Sequence, residues 1–154
     1  MSYGNSDKPQ AILFTIGFAQ RSAREFFTAL KQNRVRKLID VRLNNVSQLA
    51  GFTKKEDLEY FLKEICNIEY SHEPDFAPTK DLLDGYRKKE ISWSVYEKKY
   101  LDLLSQRQVS AKIELDEINM SCLLCSEPKP DHCHRRLLAD YIKKYLPDIE
   151  IQHL

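Results

Sequence analysis

The stretch "CSEPKPDHCHRR", residues 125–136, puts two cysteines, two histidines and two arginines beside carboxylates within twelve positions. Three chemistries use those residue types at that spacing. The first is a metal site, because "CLLC" (122–125) has C-x-x-C spacing and His132, Cys133 and His134 follow. In a strand, however, residues three apart point to opposite faces, so Cys122 and Cys125 would not share an ion, and Cys125 with Cys133 and a histidine lacks a fourth ligand. No metal is therefore assigned. The second is thiol chemistry between Cys125 and Cys133, across a loop that joins a strand end to a helix start. A thiol at a helix N-terminus has a lowered pKa, which favours Cys133; the plain alternative is two small buried hydrophobes.

The third chemistry is anion binding. "LLC" ends a strand, "SEPKPD" forms a loop, and Asp131 is placed to cap a helix whose first turn carries His132, Cys133, His134 and Arg135. Free N–H groups and positive potential there suit a phosphate, sulfate or carboxylate. Basic side chains in that turn oppose the helix dipole unless an anion or a carboxylate such as Glu127 neutralises them. His134 shares the apolar stripe of Leu137, Leu138 and Tyr141, which makes it either a partly buried proton carrier or a satisfied core histidine. "DVR" (40–42) adds a second group at another strand end. Asp40 and Arg42 occupy alternate positions on one face, where Asp40 can orient an arginine or histidine and Arg42 can present a forked donor to an oxyanion.

The elements that must position these groups alternate. "AILFTIG" (11–17) predicts a buried strand, followed by a helix with a Ser22/Glu25 capping box and a Phe26, Phe27, Leu30 stripe. "KLIDVR" (37–42) predicts a second strand, and Thr53 with Glu56 repeats the capping box ahead of Leu58, Phe61, Leu62 and Ile65. "IEY" (68–70) is a third strand, and Thr79 opens a helical region with a later Trp93, Tyr96, Tyr100, Leu104 stripe. Residues 109–119 fit helix or strand equally. "SCLLC" (121–125) is a strand, 131–145 a helix and "IEIQHL" (149–154) a last strand. The class is α/β: a mainly parallel sheet in one domain, flanked by helices on both faces, with ligands expected outside the carboxyl ends of the strands.

The whole-chain numbers set bounds. The 154 residues suit one domain, read as 11–154 after a flexible tail at 1–10. Hydrophobic residues at 42%, charged residues at 31% and a formal net charge of +1 are those of a soluble globular protein without a basic field for nucleic acid. The polar N-terminus and the lack of a long apolar run point to a cytoplasmic protein with no membrane contact, in which Cys66, Cys122, Cys125 and Cys133 stay reduced. Neither a Gly-rich dinucleotide turn nor a P-loop is visible, so the cofactor stays unknown.

Taken together, "TIG" (15–17), "LIDVR" (38–42), "LLCSE" (123–127) and "CHR" (133–135), in this order, resemble the domain of unknown function 488 family of bacteria and archaea. Stretches at 42–52, 77–80 ("APTK") and 92–96 ("SWSVY") resemble one branch of it. The resemblance implies a single α/β domain with one pocket holding Asp40, Arg42, Cys125, Glu127, Cys133, His134 and Arg135. A polar loop of Asn44, Asn45, Ser47 and Gln48 would border it. Many members read "TIGHS" where this chain has Phe18 and Ala19, so a base supplied by that histidine would here be His134 or His72, or the reaction has been lost. The resemblance supplies no reaction.

The leading functional expectation is an enzyme acting on an anionic small molecule or a nucleic-acid-like substrate. Arg42, Arg135, Asn44, Asn45, Ser47 and Gln48 would bind, and Asp40, His134, Glu127, Cys133 and Cys125 would act. One alternative is a non-catalytic module for a nucleotide, nucleic acid or protein, with Trp93, Tyr96 and Tyr100 as a stacking platform or simply as core. Another is a thiol-dependent redox or sulfur-transfer protein, since "LIDVR" and a strand ending in cysteine resemble rhodanese-like sulfurtransferases. "CSEPKPD" departs from that family's glycine-containing anion loop. The plainest alternative is structural, with ion pairs of Asp40 with Arg135 or Arg42 with Glu127 tying strand ends together.

Overall fold

The structure is a computed structural model that describes residues 9–45 and 51–154. Ser47 and Gln48, and all of the expected tail except Pro9 and Gln10, lie outside the described residues. Gln10 itself is tied down, its amide donating to the Asp148 carbonyl at 2.9 Å.

Among the described residues, five parallel strands form one sheet: β1 (Ala11–Gly17), β2 (Lys37–Asp40), β3 (Glu69–His72), β4 (Ser121–Cys125) and β5 (Ile149–His153), in the order β3-β2-β4-β1-β5. Near-continuous apolar runs such as AILFTIG suit strands covered on both faces. Leu13 faces one core layer and Phe14 the other. The first layer includes Leu82, Tyr96, Tyr100, Leu104, Leu137 and Leu138; the second includes Phe26, Leu30, Leu58 and Leu62. Full burial of each such side chain is worth roughly 1.5–3 kcal/mol.

The helices supplying these layers are α1 (Ala23–Gln32), α2 (Lys55–Tyr60), α3 (Lys80–Arg87), α4 (Trp93–Gln106), the single turn α5 (Leu115–Ile118) and α6 (His134–Tyr145). The capping box of Ser22 and Glu25 is formed, and Thr79 and Ser92 cap α3 and α4. Two local expectations are corrected and one ambiguity is resolved. Thr53 does not cap α2: it sits in a 3-10 turn, and Lys54 is the N-cap. α2 continues into a π-helical turn at Phe61–Cys66, whose wider winding carries Ile65 off the Leu58/Leu62 face to 61% exposure. Residues 109–119 form a 3-10 turn and α5, with no strand.

A further correction concerns α6. It starts at His134, with Cys133 as an extended N-cap, so Asp131, His132 and Cys133 precede the helix. Pro128 and Pro130 disfavour helical conformation in Glu127 and Lys129, which delays the start. β2 likewise ends at Asp40, two residues before Arg42.

Candidate active site

β1 is followed by α1 on one face of the sheet and β4 by α6 on the other. The carboxyl ends of these neighbouring strands therefore border a crevice, where open parallel sheets bind ligands. A pocket of about 450 Å³ opens there, with Phe18, Arg42, Cys125, Glu127, Cys133 and His134 in its lining. Gly17 makes the junction possible: a Cβ at this position would lie 1.6 Å from the Glu127 carbonyl oxygen and 2.7 Å from Arg135 Nη1. The loop after β4 can approach β1 only over a bare Cα, which accounts for the glycine of "TIG".

The pocket floor holds the thiols. Cys125 Sγ and Cys133 Sγ are 2.6 Å apart, and Arg135 Nη1 donates to Cys125 Sγ at 3.0 Å. Arg135 is fully buried, and it also donates to the Glu127 carbonyl and, through Nε, to Thr15 Oγ1 at 3.2 Å. Burial pushes the Cys125 thiol up, but the Cys133 thiol hydrogen bond and the Arg135 guanidinium outweigh it and hold Cys125 below its ordinary value. Burial and then the neighbouring Cys125 push Cys133 far up. The pair therefore carries its first negative charge on Cys125, with Cys133 as the thiol that donates to it.

The Asp-Arg group is a closed fork. Arg42 Nε and Nη2 donate to the two Asp40 carboxylate oxygens at 2.8 Å each, and Nη2 also reaches the Thr53 carbonyl at 2.7 Å. Tyr70 donates its hydroxyl to Asp40 Oδ2 at 2.6 Å, and Asn45 Nδ2 donates to the Tyr70 oxygen at 3.1 Å. Burial, followed by its bond to Asp40, raises the Tyr70 phenol well above its ordinary value, which keeps it a donor. Arg42 is only 4% exposed, its guanidinium lies 5.3 Å from the Phe18 ring centroid, and its Nη1 has no hydrogen-bond partner among the described residues.

His134 donates Nε2–H to the Val41 carbonyl at 2.8 Å, which leaves Nδ1 as the acceptor. Burial is the main cause that lowers its pKa to about 4, so the imidazole is neutral at pH 7. In the same lining, Trp93 is stacked on Tyr96 at 5.2 Å with His132 at 4.9 Å, and Lys80 and Arg87 of α3 also border the pocket. Lys80 pairs with Asp84 at 2.7 Å. Tyr96 and Tyr100 are core residues, and Tyr100 donates to the Phe76 carbonyl at 2.7 Å.

The structure thus gathers Arg42, Asn44, Cys125, Glu127, Cys133 and His134 around one pocket. Asp40, Asn45 and Arg135 stand behind that lining, engaged by Arg42, Tyr70 and Cys125 respectively. The ion pairs that the structural alternative offered, Asp40 with Arg135 or Arg42 with Glu127, are not formed; Asp40 takes Arg42, two residues away, and Arg135 takes the backbone oxygen of Glu127. Cys122 faces the opposite core from Cys125, and no group of three or more potential metal ligands occurs among the described residues. Sequence reasoning gave no site role to Thr15, Gly17 or Tyr70. Gly17 stood in plain view in "TIG", and Lys80 in "APTK". No helix among the described residues is long and apolar enough to cross a membrane.

Neither the curated proteins nor the solved structures include a match to this chain. Residues 22–142, well over half of the chain and spanning β2, β4 and most of α6, match the family described as Domain of unknown function DUF488, and with this pocket on a parallel α/β sheet the chain belongs to that family.

Proposed function

We propose that the pocket is the active site of an enzyme that acts on a small anionic substrate, with the Cys125 sulfur as its attacking group. The observation that carries this reading is the placement of Cys125 at the pocket floor, 3.0 Å from Arg135 Nη1 and beside the Cys133 thiol. A buried cation and a thiol donor favour the thiolate, the nucleophilic form of cysteine. The preference for an anion rests on Arg42, whose unfilled Nη1 belongs to a residue of the lining, and on Lys80 and Arg87 in the wall. His134, neutral at pH 7 with Nδ1 unprotonated, is suited to accept a hydrogen bond from the substrate and poorly suited to carry a charge.

Arg135 and Asp40 act in this reading as positioning residues. Arg135 holds Cys125 from behind, and Asp40 locks the Arg42 fork. Glu127 contributes its backbone carbonyl to Arg135, and its carboxylate borders the substrate space. A reducing cytoplasm would keep both thiols available.

The test is alkylation of the folded protein with iodoacetamide and iodoacetate, with each cysteine followed by peptide mass mapping. Cys125 should react with a pH midpoint below that of the unfolded chain. Its iodoacetate-to-iodoacetamide rate ratio should exceed that of the unfolded chain several-fold and fall in Arg87→Gln. A Cys125 that resists both reagents, or that prefers the neutral one, would overturn the reading.

A further inference from the structure

In a nucleophile-only account Cys133 is no more than a hydrogen-bond donor, yet it is the nearest hydrogen-bonding partner of Cys125. The two sulfurs are 2.6 Å apart, against about 2.05 Å in a disulfide, so closing a bond needs a shift of only about half an ångström. Both residues sit on defined backbone: Cys125 is the last residue of β4, and Cys133 is the extended N-cap of α6. They are 1% and 2% exposed, and both line the pocket, which gives a small reagent one route to either sulfur. Arg135 Nη1 stands 3.0 Å from one sulfur and 3.9 Å from the other, so its charge serves whichever sulfur is anionic.

We infer that Cys125 and Cys133 form a dithiol–disulfide couple, Cys125 attacking and Cys133 resolving, whose oxidant is a small carboxylate-bearing disulfide admitted through the pocket. The inference rests on the proposed role of Cys125 and names the substrate class of that site. In the first step Cys125–S⁻ attacks one sulfur of R–S–S–R, forming Cys125–S–S–R and expelling R–S⁻. The departing thiolate takes the Cys133 proton and leaves as R–SH. Cys133–S⁻ then attacks the Cys125 sulfur, forming Cys125–S–S–Cys133 and expelling the second R–S⁻, which takes from solvent the proton that Cys125 released on ionising. Two electrons pass from the protein dithiol to the small disulfide, which is reduced to two thiols.

The order of roles follows from the geometry. Arg135 is nearer to Cys125, which favours charge there in the resting pair. Once Cys125 is in the mixed disulfide it is neutral, and the same guanidinium is left to stabilise Cys133 as it deprotonates. The preference for an anionic oxidant comes from Arg42, 4% exposed with Nη1 unpartnered among the described residues, and from Arg87, which lines the same pocket. Asp84 also lines this space, but it is paired with Lys80; Glu127 is the carboxylate that opposes the preference.

The experiment exposes reduced wild-type protein to glutathione disulfide (anionic), hydroxyethyl disulfide (neutral) and cystamine (cationic), and follows intact mass and peptide maps with time. We expect a loss of two hydrogens localised to the Cys125 and Cys133 peptides. Glutathione disulfide should react at least tenfold faster than cystamine, relative to their rates with the unfolded chain. Cys133→Ala should stop at a stable glutathione adduct on Cys125, and far-UV circular dichroism identifies a variant that has not folded. The wild-type measurement needs no variant. If Cys125 alkylates as proposed but no internal disulfide forms with any of the three reagents, the couple is refuted and the nucleophile stands. If Cys125 does not alkylate, both fall. A disulfide that forms fastest with cystamine refutes the anionic substrate class.

Discussion

Asp40 and Arg42 are separated by a single residue, yet they are joined by two parallel hydrogen bonds of 2.8 Å in a site where Asp40 is wholly buried. The fork is possible because the chain stays paired with β4 through the Val41 amide, so Asp40 and Arg42 occupy alternate positions on one face and the long Arg42 side chain reaches the carboxylate. Such a pair fixes the rim of the pocket more than it stabilises the fold, since desolvation offsets much of the attraction.

Breaking the pair from one side leaves a buried charge alone. Arg42→Ala should therefore cost about 3–5 kcal/mol in urea denaturation. Tyr70→Phe, which removes a hydroxyl donor to the same carboxylate, should cost less, roughly 1.5–3 kcal/mol. The double variant Asp40→Asn/Arg42→Gln should recover part of the Arg42→Ala loss. If Arg42→Ala is within error of wild type, Asp40 is not the isolated charge that the geometry makes it.

Gly17→Ala tests the approach of β1 to the loop after β4. The added methyl would fall 1.6 Å from the Glu127 oxygen, a backbone atom that cannot swing aside. The variant should lose upwards of about 4 kcal/mol, which is exceptional for one methyl group, or fail to accumulate as folded protein. Any folded fraction should show a raised Cys125 titration midpoint, because the Arg135 contact to Glu127 is displaced. A Gly17→Ala protein of normal stability would mean that this loop can stand farther from β1.

His134 gives a pH signature whose sign can be worked out. Its pKa falls from an ordinary 6.5 to about 4 in the fold, mainly through burial. Between those values the unfolded chain binds the proton more tightly, so stability is complete above about pH 6.5 and is lost as pH falls towards 4. The full effect is roughly 3 kcal/mol at about 1.4 kcal/mol per unit. His153, also lowered mainly by burial, adds to the loss with the same sign. Chemical denaturation at several pH values should show a slope through this window that His134→Gln reduces; an unchanged slope would assign it elsewhere.

Sequence periodicity carried the parallel α/β class, most strand positions and the caps at Ser22 and Thr79, because burial on both sheet faces and local hydrogen bonds act within short windows. It misplaced the start of α6, since the proline effect on Glu127 and Lys129 competes with the capping signal of Asp131. Alternation put Asp40 and Arg42 on one face and left open which arginine or histidine Asp40 would hold, since residue type does not choose between a partner two residues away and a distant one. The proximity of Cys125 and Cys133 was legible as a loop closure; the arginine behind them was not. Arg135 lies next to His134 in the chain, and only the helical rotation from one to the next separates the residue in the pocket from the one beneath it.

Trp93 is the only tryptophan of the chain, and it lines the same pocket as Cys125 while stacked on Tyr96. Its fluorescence therefore reports on the pocket without a label. Filling the space by alkylating Cys125 with N-ethylmaleimide should reduce acrylamide quenching of Trp93, because the added ring excludes the quencher from the open side of the indole. The same treatment of Cys125→Ser should leave quenching unchanged, with modification of Cys66 as the internal control, since Cys66 lies on the opposite core layer. If alkylation confined to Cys125 leaves Trp93 as accessible as before, the indole and the thiol do not share one enclosed space, and the pocket would be two separate depressions instead of a single site.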